Sequence, residues 1–200
     1  MRVILFLASA AVSAFSTVAC ATESSWEKGY RDCNLRNLNA CHDSNQLLNG
    51  LPGGPPKRDF RQALSQFLRG AVSSDKFDAT LSAEEALSGP EGEPMHFPTG
   101  EILFIGFRPH DAPDKGAVLL DGSGKILLVA TLDGSYFGPE PVLQIYAHDS
   151  TSVAQWNLYL QNWAQSVVES FSSTNHNAAL KTQILIAAGN SRRWQTQSQK

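Results

Sequence analysis

The sequence lacks the features that mark several large classes of protein. No block of five like charges occurs in its 200 residues, and the formal charge is −3, so no basic face is available for nucleic acid. Its single long apolar run covers about ten residues at the very start, whereas a membrane crossing needs roughly 20. Apolar residues still make up 42% of the chain, which is enough for a core and excludes a disordered chain. We therefore expect a globular protein with no membrane span and no nucleic-acid partner.

Familiar catalytic signatures are also absent. The chain contains no nucleophile elbow, phosphate-binding loop, zinc-protease helix or dinucleotide fingerprint. Three of its five histidines are followed by aspartate, at His42-Asp43, His110-Asp111 and His148-Asp149. A helix N-cap explains Asp149 and a solvated turn explains Asp43 without any site. We expect no catalytic residue, no metal site and no cofactor; an enzyme or metal-binding protein that uses the His-Asp pairs is an alternative.

The first 21 residues have the organisation of a secretory signal. Arg2 provides a positive start, an apolar stretch follows over 3–12, and small residues stand at Ala19 and Ala21. This order predicts export, with cleavage after Ala21, to a periplasmic or extracellular location. The alternative is a lipoprotein acylated at Cys20, although the residues before this cysteine lack the leucine usual in such signals.

Two cysteines remain after the signal, and they lie eight residues apart. Cys33 and Cys41 are an even pair in an oxidising compartment, so we predict a disulfide between them. A metal site would need two further ligands, and free thiols stay open as another alternative. The surrounding segment, 22–56, is rich in Asn, Gly and Pro and is interpreted as an N-terminal extension laid over the domain.

Hydrophobic periodicity predicts an α+β domain over 57–189 and a polar tail over 190–200. Apolar residues spaced by three and four indicate helices, and short runs of β-branched and aromatic residues indicate strands. The predicted helices cover 57–69, 83–88 (with Ser82 in its capping box) and 151–171, and the predicted strands cover 101–108, 117–120, 125–132 and 142–147. Because the links between these strands are short, we expect an antiparallel sheet with the N-terminal and C-terminal helices packed on it. Periodicity does not decide whether 178–188 is helix or strand.

The segment Phe107–Pro113 has the composition of an insertion loop. It follows an apolar strand and is expected to rejoin the sheet at Gly116. Two prolines restrict φ on either side of His110, and a stiff loop loses less entropy when it docks. Arg108 and Asp111 add a cation and a carboxylate beside the imidazole.

The stretch Arg108-Pro109-His110-Asp111 resembles the Cys-Lys-Pro-His-Asp-Cys loop of the Ivy family, periplasmic inhibitors of vertebrate c-type lysozyme. The similarity covers roughly 57–147, and only the core of the loop is specific. The resemblance implies an Ivy-like α+β fold with a partner-binding loop made of Phe107, Arg108, Pro109, His110 and Asp111. In that family the loop enters the cleft of lysozyme and its histidine hydrogen-bonds the catalytic carboxylates. The resemblance assigns this role to His110 and lets Arg108 stand for the family's lysine.

The loop departs from the family at two positions, because Phe107 and Ala112 stand where the family has bridging cysteines. The resemblance predicts that the 107–113 loop inhibits a c-type lysozyme or another peptidoglycan-cleaving enzyme. The alternative is a non-catalytic envelope binding or immunity protein on the same fold with a different partner. One sequence leaves open which lysozyme class is bound and whether the chain forms a homodimer.

Overall fold

Helices and one large sheet make up most of the chain that the structure describes. The computed structural model describes residues 25–49, 57–73, 78–109, 111–134, 140–171, 179–188 and 193–197. Its helices are α1 (Ser25–Asp32), α2 (Ser44–Leu48), α3 (Arg58–Phe67), α4 (Ala79–Ala86) and α5 (Ser150–Phe171), with a 3-10 turn at Leu38–Ala40. Its strands are β1 (Gly89–Pro90), β2 (Met95–His96), β3 (Ile102–Arg108), β4 (Asp111–Leu120), β5 (Ile126–Asp133), β6 (Val142–Ala147), β7 (Lys181–Ala188) and β8 (Arg193–Gln197). None of the described helices has both the length and the apolar character that a bilayer crossing requires.

The strands form one sheet in the order β1-β3-β4-β5-β6-β7-β8, and β2 also pairs with β3. All neighbouring strands are antiparallel except β6 and β7, which run parallel. This architecture confirms the α+β class, and the four predicted strands pair antiparallel as expected; the parallel neighbour of β6 is β7, in the segment that periodicity left undecided. The reason for the parallel pairing is α5, whose 22 residues connect β6 to β7 and supply the long crossover that a parallel pair requires.

Two C-terminal strands complete the sheet. The apolar segment that periodicity left undecided is β7. Arg193–Gln197 pairs antiparallel with β7 as β8, so the interpretation of 190–200 as a polar tail is wrong for these residues. Trp194 anchors this polar strand, because its ring packs edge-on against Tyr146 and its Nε1 donates a 3.2 Å hydrogen bond to the Arg69 carbonyl.

The helices follow the predicted pattern with one clear correction. Helices α3 and α5 begin and end within two residues of the predicted bounds. Helix α4 begins at Ala79 rather than at residue 83, and its N-cap is Asp78 rather than Ser82. The Asp78 carboxylate accepts a 2.7 Å hydrogen bond from the Thr80 amide, which satisfies one of the free N–H groups at the start of the helix.

The sheet buries side chains on both of its faces. Successive residues of a strand point to opposite faces, so the central strands supply two separate cores. The first core lies between the sheet and the N-terminal helices and includes Phe60, Leu64, Phe104, Val118 and Val129. The second lies between the sheet and α5 and includes Leu103, Leu119, Leu128, Trp156 and Leu160. The sheet is therefore the middle layer of the described fold.

The N-terminal segment contributes to the first core. Cys33 and Cys41 form the predicted disulfide and are both buried, and Leu47 beside them is fully buried in the cluster that includes α3. The Nζ of Lys57 donates to the backbone carbonyls of Tyr30 and Cys33, which ties the start of α3 to the end of α1. Burial lowers the pKa of this lysine. The segment interpreted as an extension is thus packed into the domain itself.

Candidate functional site

The Arg-Pro-His-Asp stretch lies at the turn of the β3–β4 hairpin. Arg108 pairs with Asp111, so only Pro109 and His110 connect the two strands. Pro109 is exposed at this turn, and His110 lies outside the described residues. We call the four residues Arg108 to Asp111 the hairpin tip.

The tip is narrower than the loop that the sequence indicated. Phe107 is paired opposite Lys115, in agreement with the predicted strand 101–108, but β4 begins at Asp111, so the expectation that the chain rejoins the sheet only at Gly116 is wrong. The register shifts after this pair and leaves residues 112–114 of β4 without Cα partners on β3. Pro113 accounts for the bulge, since proline has no N–H to donate to a neighbouring strand.

Arg108 is held by carboxylates of its own chain. Its Nη2 lies 3.0 Å from Oε2 of Glu85 at the end of α4, and its Nη1 lies 3.5 Å from Oδ2 of Asp114 in the bulge. The arginine side chain is 47% exposed, so these ion pairs are screened and are worth at most about 1 kcal/mol each. They orient the cation without hiding it from a partner.

Lys115 lies at the base of the tip in an enclosed environment. The residue is 6% exposed, and its ammonium pairs with a carboxylate oxygen of Glu91. The same ammonium lies 5.8 Å from the centre of the Phe107 ring and 5.9 Å from that of Phe171. Sequence reasoning missed Lys115, Glu91 and Phe171 as functional candidates. They lie far apart in the chain, and the sequence near Lys115 does not indicate which other segments pack around it.

Two glycines let the end of α4 approach the hairpin closely. Gly106 and Gly116 are opposite each other on β3 and β4. A Cβ on Gly106 would lie 2.7 Å from the Leu87 Cα, and one on Gly116 would lie 2.8 Å from the Leu87 Cγ. Both distances are shorter than real Cβ contacts, so the sheet needs glycine at both positions. This close packing is what brings Glu85 within reach of Arg108.

The end of the sheet that carries the tip has an excess of exposed acid. Register places the end of β5 and the starts of β6 and β7 beside each other at this end. The exposed carboxylates described here, which we call the acidic rim, belong to Glu85, Glu91, Asp133 and Glu140. The exposed cations described at the same end are Arg108 and Lys181. Because Glu85 pairs with Arg108 and Glu91 pairs with the buried Lys115, the excess of negative charge at this end is small.

The other His-Asp pairs serve helix starts. The Asp43 carboxylate accepts from the Asn45 amide at 2.7 Å and caps α2, and Asp149 accepts from the Ser152 amide at 2.7 Å and caps α5. His148 stacks on Phe67 with the ring centres 4.3 Å apart and bonds to its carbonyl at 2.8 Å. The structure does not bring these two pairs together. Within the described residues, no group of three His, Cys, Asp or Glu side chains is arranged to hold a metal ion.

An open groove of about 690 Å³ lies between α3 and α4. Arg61 crosses it and makes two hydrogen bonds of 2.9 and 2.8 Å to the Glu84 carboxylate. The remaining lining is mostly polar, with Arg58, Gln62 and Asp78 among it. Arg61 in the groove and Arg108 at the tip are thus both paired with carboxylates of the same chain, and the tip in addition presents the exposed Pro109.

Comparison of the chain with protein-family models, with curated proteins and with solved structures finds no match. The resemblance to the Ivy family therefore depends on the tip residues and their context, and it stays a prediction.

Proposed function

We propose that the chain is an exported, non-catalytic inhibitor of a c-type lysozyme or another peptidoglycan-cleaving enzyme. In this proposal the hairpin tip enters the cleft of the enzyme and His110 contacts its catalytic carboxylates. The observation that supports it is the pairing of Arg108 with Asp111 across a two-residue turn at the end of the sheet. A turn this narrow fits a cleft better than a wide loop would.

The chemistry of the tip matches that of a glycosidase cleft. Such enzymes place two carboxyl groups across the scissile bond, about 5 to 9.5 Å apart. An imidazolium donates from both ring nitrogens, so one histidine can bond to two carboxylates at once. Hydrogen bonds between charged groups are stronger than neutral ones. His110 would therefore bind best in its protonated form, and Arg108 would add a second cation.

The acidic rim suits a basic enzyme. Attraction between a negative rim and a positive cleft edge raises the association rate more than it raises the final affinity. The effect weakens at high salt, because exposed charges are screened over about 8 Å at physiological ionic strength. We expect the association rate constant to fall steeply between low and high salt while the dissociation rate constant changes little.

The decisive variant is His110→Ala, tested in a lysozyme assay on cell walls with protein secreted from its own leader. The wild type should inhibit stoichiometrically. Loss of two charge-assisted hydrogen bonds, each roughly 1.5 to 3 kcal/mol, should weaken inhibition about a hundredfold or more. The matched control is His96→Ala, an exposed histidine on β2 beside the other end of β3, which should inhibit like the wild type. Absence of inhibition by the wild type at high micromolar excess contradicts the proposal.

A second candidate is an envelope binding or immunity protein that uses the same tip on a different partner. It is favoured by the ion pairs of Arg108 with Glu85 and Asp114, which give the tip a different charge arrangement from a lysine loop braced by a disulfide. Affinity capture from a periplasmic extract tests it. A protein bound by the wild type and lost with His110→Ala, together with no effect on lysozyme, would support this candidate over the first.

A further inference from the structure

Regular pairing between β3 and β4 is interrupted just below the hairpin tip. The register shift beyond Phe107 and Lys115 breaks the regular ladder, and the bulge over 112–114 has no Cα partner on β3. Backbone pairing therefore does not continue evenly from the sheet to the tip. An inhibitor needs a rigid tip, because ordering a mobile one on binding costs affinity.

We propose that Lys115 is the positioning residue of the tip. The contacts of its ammonium hold the base of the tip in place, as a disulfide would. The groups around the ammonium, which we call the cage, are the Phe107 ring, the Phe171 ring and the Glu91 carboxylate. The consequence for inhibition rests on the proposed function, whereas the consequence for the order of the hairpin does not.

Burial is the first argument for this role. Among the buried residues that the structure describes, Lys115 is the one with a charged side chain. Lysine is seldom buried without a partner, because removing its charge from water is costly. Glu91 supplies the partner, and its own side chain stays 49% exposed. A lysine that served only to cover the surface would place its ammonium in solvent.

The geometry of the two rings is the second argument. An ammonium within about 6 Å of an aromatic ring centre is attracted by the ring, and more strongly when it is shielded from water. Lys115 meets this distance to both Phe107 and Phe171. Phe107 stands opposite it on β3, and Phe171 is the last residue of α5. One side chain thus fastens both hairpin strands to the helix on the second face of the sheet.

The position of the cage is the third argument. Lys115 and Phe107 form the last regular pair of the β3–β4 ladder before the bulge. On the far side of the bulge, Arg108 is held by Glu85 and Asp114. The cage therefore holds the base of the tip at the point where regular strand pairing stops. The ion pairs of Arg108 hold the tip itself.

The test replaces the ammonium and keeps the length of the side chain. Lys115→Met should raise amide exchange of residues 107–115 about tenfold, since two ring contacts and one ion pair are lost. Exchange in β5 and β6 should stay unchanged. Inhibition of lysozyme should weaken by about the same factor, mainly through faster dissociation. Lys115→Arg keeps the charge and should restore both readouts, and Lys125→Met, at an exposed lysine by the opposite end of the hairpin, should alter neither.

The outcomes separate this proposal from the proposed function. If the wild type does not inhibit, the lysozyme proposal is refuted. An increase of amide exchange in Lys115→Met that is confined to residues 107–115 would still support the positioning role. Unchanged exchange near the tip in that variant overturns the positioning role. If Lys115→Met does not fold, Glu91→Gln provides the second variant. It removes the charge of the exposed carboxylate and leaves the Lys115 side chain against the two rings. A uniform rise of exchange in all strands of Glu91→Gln would show a merely structural pair and would also overturn the proposal.

Discussion

The contact between α4 and the hairpin predicts a specific cost for adding one methyl group at Gly106. A Cβ there would lie 2.7 Å from the Leu87 Cα and 2.9 Å from the Leu87 carbonyl oxygen. Both atoms belong to the backbone, so they cannot rotate away as a side chain would. The end of α4 must shift by several tenths of an ångström, and Glu85 would move away from Arg108 with it.

The magnitude follows from two opposing effects. Overpacking of a well-packed site costs about 1 to 3 kcal/mol. Replacing glycine by alanine also restricts the unfolded chain, which stabilises the protein by about 0.4 to 1 kcal/mol. We therefore expect Gly106→Ala to lower the free energy of unfolding by about 1 to 2 kcal/mol.

Urea unfolding measures this change. With a slope of roughly 2 kcal/mol per molar urea, the midpoint should fall by about 0.5 to 1 M. The control is Gly122→Ala in the β4–β5 turn, where the nearest atom to the new Cβ is the Gly100 carbonyl oxygen at 3.4 Å. Its midpoint should stay close to that of the wild type. A midpoint for Gly106→Ala equal to or above the wild-type value would refute the packing of α4 on the glycine pair.

Two further predictions concern the opposite end of the fold. Replacing both Cys33 and Cys41 by alanine should lower the free energy of unfolding by about 2.5 kcal/mol, which is the chain-entropy value for a separation of eight residues. Urea unfolding measures this change, and an unchanged free energy would show that the disulfide does not constrain the unfolded chain. Burial raises the pKa of Asp121, but hydrogen bonds from Ser123 and Lys125 lower it by more, so its pKa lies below the usual value. The ionised form therefore adds stability above about pH 4 that is lost as the pH falls through the folded pKa. Asp121→Asn should remove this acid dependence in pH-dependent thermal unfolding, and an identical acid profile would contradict it.

Local patterns predicted much of the fold because their signals lie within single elements. The three-and-four spacing of apolar residues predicted α3 and α5, and β-rich runs predicted β3, β5 and β6 nearly to their observed bounds. The Asp149 cap of α5 and the Cys33–Cys41 disulfide were also predictable, because each depends on neighbours close in the chain. Strand β8 escaped this reasoning, since its residues are polar and its anchor, Trp194, meets groups more than 45 residues away.

The candidate site divides in the same way. The sequence by itself determined the α+β class, the disulfide and the location of the Arg-Pro-His-Asp stretch after a strand, because residue type and spacing carry these properties. Only the tertiary structure decided that Arg108 pairs with Asp111 and that Lys115, next to this hairpin end, contacts Glu91 and Phe171. These residues come from separate elements up to 80 positions apart, and their contact depends on how α5 packs against the sheet. Periodicity records which face of an element is apolar, whereas it does not record which element covers that face.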